Sequence, residues 1–146
     1  MKKPLSVFLL CLLYLPAMAI SDFFLGNLDV RSGMSDNFVN DIIRDQYGFM
    51  WLSTSNGLNR YDGYQFKSYA FPQSEGSNSL VVKVVEDGAG TLWVQSYDHI
   101  YVYNRLSDRI DDTAEQQLQA LGIKENVSSL YTDDANNLWA VSARQL

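Results

Sequence analysis

The three tryptophans constrain the fold of this chain more than any other feature. Trp51, Trp93 and Trp139 are separated by 42 and 46 residues, and each closes the same motif. Six residues before each stands an aspartate (Asp45, Asp87, Asp133), three before stands Gly48, Gly90 or Asn136, and one before stands Met50, Leu92 or Leu138. Six residues ahead of each aspartate is Val39, Val81 or Val127, and three ahead is Ile42, Val84 or Leu130. After the tryptophan the register continues without a gap: Leu58 aligns with Ile100 and Leu146, Tyr61 with Tyr103, and Asp62 with Asn104. Self-similarity at such a period marks a repeat architecture, in which each unit buries its apolar face on the next.

Within a repeat the local chemistry is that of strands and tight turns. Residues 39–45 and 49–54 are β-rich runs joined by Gln46-Tyr47-Gly48, where Asp45 can bond its own backbone and Gly48 can take positive φ. Asn56-Gly57 turns into a run over 58–61. Asp62-Gly63 turns into a run over 64–71, whose Tyr64 and Phe66 are expected to pack on neighbouring sheets. Four antiparallel strands every 42 to 46 residues is the length of one β-propeller blade. The predicted fold is therefore all-β: an incomplete β-propeller of about two and a half four-stranded blades, preceded by a signal-peptide helix. The boundaries read as 1–19 signal peptide, 20–36 N-terminal strand segment, 37–78 blade one, 79–122 blade two with a short helix near 114–121, and 123–146 partial blade three. The tryptophans are expected to be core residues between blades, and the repeated aspartates turn formers. Asp87-Gly-Ala-Gly lacks the alternating oxygen ligands and final Glu of a calcium loop.

Charge and composition exclude several functions. Beyond residue 20 the chain carries 17 acidic residues and nine basic ones, which argues against a nucleic-acid partner. One Cys and one His give no zinc cluster, disulfide framework or Cys–His nucleophile, so no metal or cofactor is called for. Met1-Lys2-Lys3, the apolar run Leu5 to Leu15 and Ala17-Met18-Ala19 form a secretory signal with cleavage after Ala19. The expected compartment is the periplasm, and Cys11 leaves with the signal.

Ser32-Gly33-Met34-Ser35, Val39-Asn-Asp-Ile, the run from Asp45 through Trp51 to Thr54, and Asn56-Gly-Leu-Asn-Arg-Tyr-Asp-Gly-Tyr64-Gln-Phe together resemble the first blade of a two-component regulator propeller. The resemblance runs from about Phe23 to Leu146. It departs where His99 replaces Gly57 and where Asn136 replaces a glycine. It implies a fragment of the periplasmic sensor of a hybrid two-component receptor in Bacteroidetes-type bacteria, with no catalysis in this chain. Kinase, receiver and output domains, and the membrane segment, would lie in missing downstream parts. The implied ligand is an oligosaccharide released from a polysaccharide. The implied partners are the remainder of its own receptor or a second receptor chain.

Blade topology places the recognition surface. The connections between blades and the turns joining second and third strands share one rim, where variable side chains meet ligand. These are Ser55 and Asn56 in blade one, Tyr97, Asp98 and His99 in blade two, and Ala143, Arg144 and Gln145 in the partial third. Tyr97 would stack on a sugar face, while Asp98 or Arg144 would bond hydroxyls; Asn56 and His99 are further candidate ligand contacts. A solvated loop is the ordinary alternative for the same residues, and for His99 a loop role is set against base or metal ligand.

Three further segments carry expectations. Thr113 to Gly122 reads as a short helix with Thr113 as N-cap, Gln at the third helical position, Leu118 and Leu121 on one face, and a glycine stop. Asn126-Val-Ser128 is a glycosylation triplet at a strand start. Leu146 corresponds to Leu58, so the alignment ends mid-blade, which reads as a truncated product with unpaired strand edges; the run Asp22 to Leu28 is a candidate strand for completing the last blade. Two other functions share the pattern: an extracellular protein-binding propeller scaffold, and a truncated secreted polysaccharide-degrading enzyme. The latter needs paired carboxylates, and Asp98 has no evident partner in sequence.

Overall fold

The computed structural model describes residues 26–72, 80–124 and 126–142. The signal peptide, Arg144 with its neighbours, and most of the Asp22 to Leu28 run lie outside the described residues; residues 26–28 are not in a strand. Among the described residues a single 3₁₀ turn (Val30–Ser32), ten strands and one α-helix follow. Strands β1 (Val39–Arg44), β2 (Met50–Thr54), β3 (Gly57–Tyr61) and β4 (Phe66–Tyr69) form an antiparallel meander, and β5 (Val81–Glu86), β6 (Leu92–Ser96), β7 (Ile100–Asn104) and β8 (Arg109–Asp111) form a second. Helix α1 (Ala114–Ala120) precedes a two-stranded sheet of β9 (Val127–Thr132) and β10 (Leu138–Ser142). These are two blades and the inner pair of a third.

The aspartate of the motif builds the first turn of every blade. Asp45 Oδ1 accepts from the Tyr47 and Phe49 amides at 3.0 and 2.9 Å. Asp87 Oδ1 does the same with Ala89 and Thr91, and Asp133 Oδ1 with Ala135 and Asn137. The third residue of each turn has positive φ, 91° at Gly48, 80° at Gly90 and 58° at Asn136, a region open to glycine and tolerated by asparagine. The other carboxylate oxygen accepts from the indole: Trp51 and Trp93 Nε1 at 2.9 Å from Asp45 and Asp87 Oδ2, and Trp139 Nε1 at 3.0 Å from Asp133 Oδ2. One carboxylate thus fixes both the turn and the tryptophan. In each blade the first strand also bulges after its leading valine, since Val39 pairs with Thr54 but Asp41 with Ser53, and the same slip follows Val81 and Val127.

Apolar burial joins one blade to the next. Trp51, Leu58 and Tyr69 of blade one pack with Val84, Leu92, Val94, Tyr101, Tyr103 and Ile110 of blade two. The Trp51 ring centroid lies 4.6 Å from that of Tyr103 in an edge-on arrangement. On the far side of blade two, Val85, Trp93 and Val102 pack with Ala114 and Leu118 of the helix and Leu130 of blade three. Trp51 and Trp93 are each 1% exposed. Trp139 keeps the same bond to its aspartate but is 61% exposed, because no described sheet covers that face; the expectation of a core tryptophan holds for two of the three.

Polar bonds reinforce both joints. The Val84 amide donates to Asp41 Oδ2 (3.3 Å) and Asn40 Nδ2 to the Val81 carbonyl (2.8 Å), so blade one satisfies the inner strand of blade two. At the next joint Gln95 holds the inner strand, accepting from the Leu130 amide (2.9 Å) and donating to its carbonyl (2.8 Å), and the Gly88 amide donates to the Asn136 carbonyl (2.8 Å). At the hairpin rim, Arg105 bonds Asp45 (3.1 Å) and Glu86 (2.9 Å) with its guanidinium 4.4 Å from the Tyr47 ring centroid. Asp108 accepts from Tyr69 and Tyr103 (both 2.7 Å), Arg60 (3.2 Å) and Lys67. Burial pushes the Asp108 carboxyl up, but these four donors outweigh it and hold it well below the ordinary range. These partners satisfy one another, so both clusters are clamps between blades.

Three local expectations need correction. Tyr64 is not packed: it sits in the Asp62–Gln65 turn, 95% exposed, and the outer strand begins only at Phe66, whose ring lies 4.7 Å from Tyr61. Thr113 does not cap its helix through its side chain; its hydroxyl accepts from Gln117 Nε2 at 3.0 Å. Leu118 is buried, whereas Leu121 faces solvent. The glycine stop is present, with Gly122 at φ 87° and its amide donating to the Gln119 carbonyl.

Candidate ligand-binding site

Meander topology puts the β2–β3 and β6–β7 turns and the links between blades at one end of the sheets, opposite the hairpin clamps. In blade one this end is filled by the chain itself. Ser35 donates through its amide to Asn59 Oδ1 (3.0 Å), its hydroxyl bonds Thr54 Oγ1 (2.9 Å), and Asn56 Nδ2 reaches the Ser35 carbonyl (3.4 Å). Asn56 therefore holds the N-terminal segment to its blade, and it is not in the cleft described next.

In blade two the same end opens. A cleft of about 600 Å³ lies between the β6–β7 turn, helix α1 and the start of β9. The turn supplies Tyr97, Asp98 and His99, the residue before the N-cap supplies Asp112, and the helix supplies Glu115, Gln116 and Gln119. Leu118 and Ile123 contribute an apolar floor, and Lys124 and Asn126 close the far wall. The helix stands here because its buried side, Ala114 and Leu118, joins the apolar cluster of Val85, Trp93 and Val102, leaving its polar side toward the turn.

The turn is ordered from within. Ser96 Oγ donates to Asp98 Oδ1 (3.1 Å) and accepts from the His99 amide (3.0 Å), and the Ser96 amide donates to the His99 carbonyl (2.8 Å). His99 Nε2 bonds Asp112 Oδ1 at 2.7 Å and its ring centroid lies 4.5 Å from that of Tyr101, so the imidazole ties the turn to the helix entry. Burial, then the charges of Asp112 and Asp98, push the Tyr101 phenol above its ordinary value. Tyr97 is 77% exposed and makes no described aromatic contact, which leaves its ring free to meet a ligand.

The structure thus brings Tyr97, Asp98 and His99 together and separates them from Asn56. It adds a wall that sequence reading missed: Asp112, Glu115, Gln116 and Lys124. The amphipathic pattern of the helix was visible, but only the burial of Leu118 in the cluster with Trp93 and Val102 shows which side it turns to the rim. In the glycosylation triplet, Ser128 Oγ donates to the Val141 carbonyl at 2.9 Å within the sheet. Among the described residues no three His, Cys, Asp or Glu side chains converge on a metal position, and no helix is long and apolar enough to cross a membrane.

Repeated four-stranded antiparallel blades, each pinned by an aspartate–indole bond, define a propeller-repeat protein. Residues 33–56, which include the first two strands of blade one and the turn between them, match the two component regulator propeller model. Histidine kinase P4 of Formosa agariphila is 39% identical over 49 residues, 34% of this chain and 4% of that protein. Two solved structures share the fold, both extracellular domains of proteins described as hybrid two component systems of B. thetaiotaomicron. That of BT4673 superposes with a TM-score of 0.59 at 26% identity over 77% of this chain and 15% of that one. That of BT3049 gives 0.58 at 24% identity over 79% and 17%. The chain therefore spans a small part of every relative named here.

Proposed function

We propose that this chain is part of the ligand-sensing propeller of an extracytoplasmic two-component receptor, and that it contributes the cleft at Tyr97 to oligosaccharide recognition without catalysing a reaction. The observation that carries this reading is the helix-walled cleft on the rim of blade two. It combines an exposed aromatic ring, an apolar floor and several hydrogen-bonding side chains, the combination a sugar needs because its ring presents a C–H face and an equator of hydroxyls. The cleft of blade two is walled by the helical link, so recognition there rests on a departure from the repeat. The relatives are extracellular domains, which supports an extracytoplasmic sensor, and the signal-like pattern of residues 1–19 supports a periplasmic location. The partner that carries the signal onward is the rest of the receptor.

Titration calorimetry of the full chain against a panel of polysaccharide-derived oligosaccharides tests this reading. At least one glycan is expected to give saturable heat, with Tyr97→Ala weakening it by roughly tenfold, the effect of losing one aromatic stacking contact. Glycan turnover during the titration, detected as new reducing ends, would overturn the non-catalytic reading.

A further inference from the structure

The charges on the cleft walls discriminate among saccharides, an inference that rests on reading the cleft as a saccharide site. Three carboxylates line it, Asp98 on the turn, Asp112 before the helix and Glu115 in its first turn, against one lysine, Lys124. The walls are net negative whether or not His99 carries a proton. Each carboxylate has one oxygen committed: Asp98 Oδ1 to Ser96, Asp112 Oδ1 to His99, and Glu115 Oε1 to Gln119 at 3.1 Å. The second oxygen of each bonds no described residue, and an ionised carboxylate oxygen only accepts.

We propose that this cleft takes uncharged oligosaccharides and rejects uronate-containing and sulfated ones. Sugar hydroxyls are donors, and a carboxylate gives them short, charge-assisted bonds. A sugar carboxylate or sulfate entering the same space meets three like charges with part of its water removed, and, among the described lining residues, one lysine, Lys124, to offset them. Selection of this kind acts by repulsion of the wrong ligand as much as by attraction of the right one.

The test uses the full chain, with intrinsic tryptophan fluorescence confirming the fold of every variant. Calorimetry is run with neutral hexasaccharides of glucan, mannan, xylan and arabinan, with hexagalacturonate, and with a heparin hexasaccharide. One or more neutral hexamers are expected to bind at least about tenfold tighter than either anionic one, an electrostatic discrimination of ordinary size. Affinity for the neutral ligand is expected to change less than about twofold between 50 and 500 mM NaCl, because no ligand charge is screened. The D98N/E115Q pair is expected to narrow the gap at least about fivefold by improving binding of the anionic hexamers. If an anionic hexamer binds tighter than every neutral one and Y97A abolishes it, charge selection is wrong while the saccharide site stands. If no hexamer gives heat with the folded chain, the saccharide reading fails and this inference with it. Neutral binding indifferent to both Y97A and D98N/E115Q would put the ligand elsewhere and overturn the proposal.

Discussion

At the scale of the residue, the aspartate that closes each first turn does two tasks, and sequence pattern revealed only one. Asp45, Asp87 and Asp133 were legible as turn formers because an aspartate three residues before a glycine or asparagine is local chemistry. Their bond to the indole was not, because a six-residue separation says nothing of side-chain direction until the strand pairing places it. The burial of the indole is likewise a property of the neighbouring blade. Trp93→Ala is therefore expected to cost about 3–5 kcal/mol in urea denaturation, whereas Trp139→Ala, with the same motif but an uncovered ring, is expected to cost about 1 kcal/mol or less. Equal losses would show that the two rings are covered alike. Asp45 and Asp108 add a pH dependence. Burial raises the Asp45 carboxyl, but the Trp51, Arg105 and Phe49 donors outweigh it, so both carboxyls titrate below 3.8 when folded. Their contribution is complete above the unfolded value and disappears as pH falls through the folded one. Urea midpoints of the wild type should thus drop below about pH 4, and Asp108→Asn should be less stable at neutral pH with a shallower acid limb.

At the scale of the element, the turns and the joints behave differently. The first turn of a blade depends on one residue at positive φ. Gly90→Ala is expected to destabilise by about 1–2 kcal/mol, since a Cβ is strained at φ 80° and meets the Gln46 amide, which must move. Circular dichroism melts of this variant check it. The strands and their order were legible because hydrophobic alternation and turn residues recur in register. Tyr64 was misplaced because Asp62 captures the amides of both Tyr64 and Gln65, spending in the turn two residues that periodicity assigned to the outer strand. The helix was legible from its glycine stop and from Leu118, but its role as a cleft wall was not, for that depends on the apolar cluster of Val85, Trp93 and Val102 that it joins. Leu118→Ala is expected to cost about 2–4 kcal/mol and to loosen the cleft, seen as faster amide exchange across 114–120.

At the scale of the whole molecule, stability accumulates blade by blade, as in other linear repeats. The joint between the first two blades is over-determined, by a large apolar cluster, two ionic clamps and the Asp41 and Asn40 bonds. The next joint has a smaller apolar cluster with Gln95 as its bridge. Gln95→Ala leaves the Leu130 amide and carbonyl without their partner at a buried position, an expected loss of about 2–4 kcal/mol confined to that joint. Hydrogen exchange should accelerate in β9 and β10 and leave β1 to β4 unchanged. Uniform acceleration across all ten strands would show instead that the blades unfold together. No sequence pattern announced this asymmetry, because Ser53, at the position in blade one that Gln95 holds in blade two, is buried with no described partner.

The aspartate–indole pin has a consequence for how such chains diversify. Turn, pairing register and ring position are all set inside one short stretch, so copying that stretch copies a working sheet wherever it lands. The four extra residues of the second repeat illustrate the freedom this leaves. They fall after its tryptophan, in a β7–β8 hairpin whose pairing reaches one pair further toward its tip and in the helical link, where they build a cleft without disturbing any pin. Novelty in this molecule enters at the seams, and the units between them can stay alike.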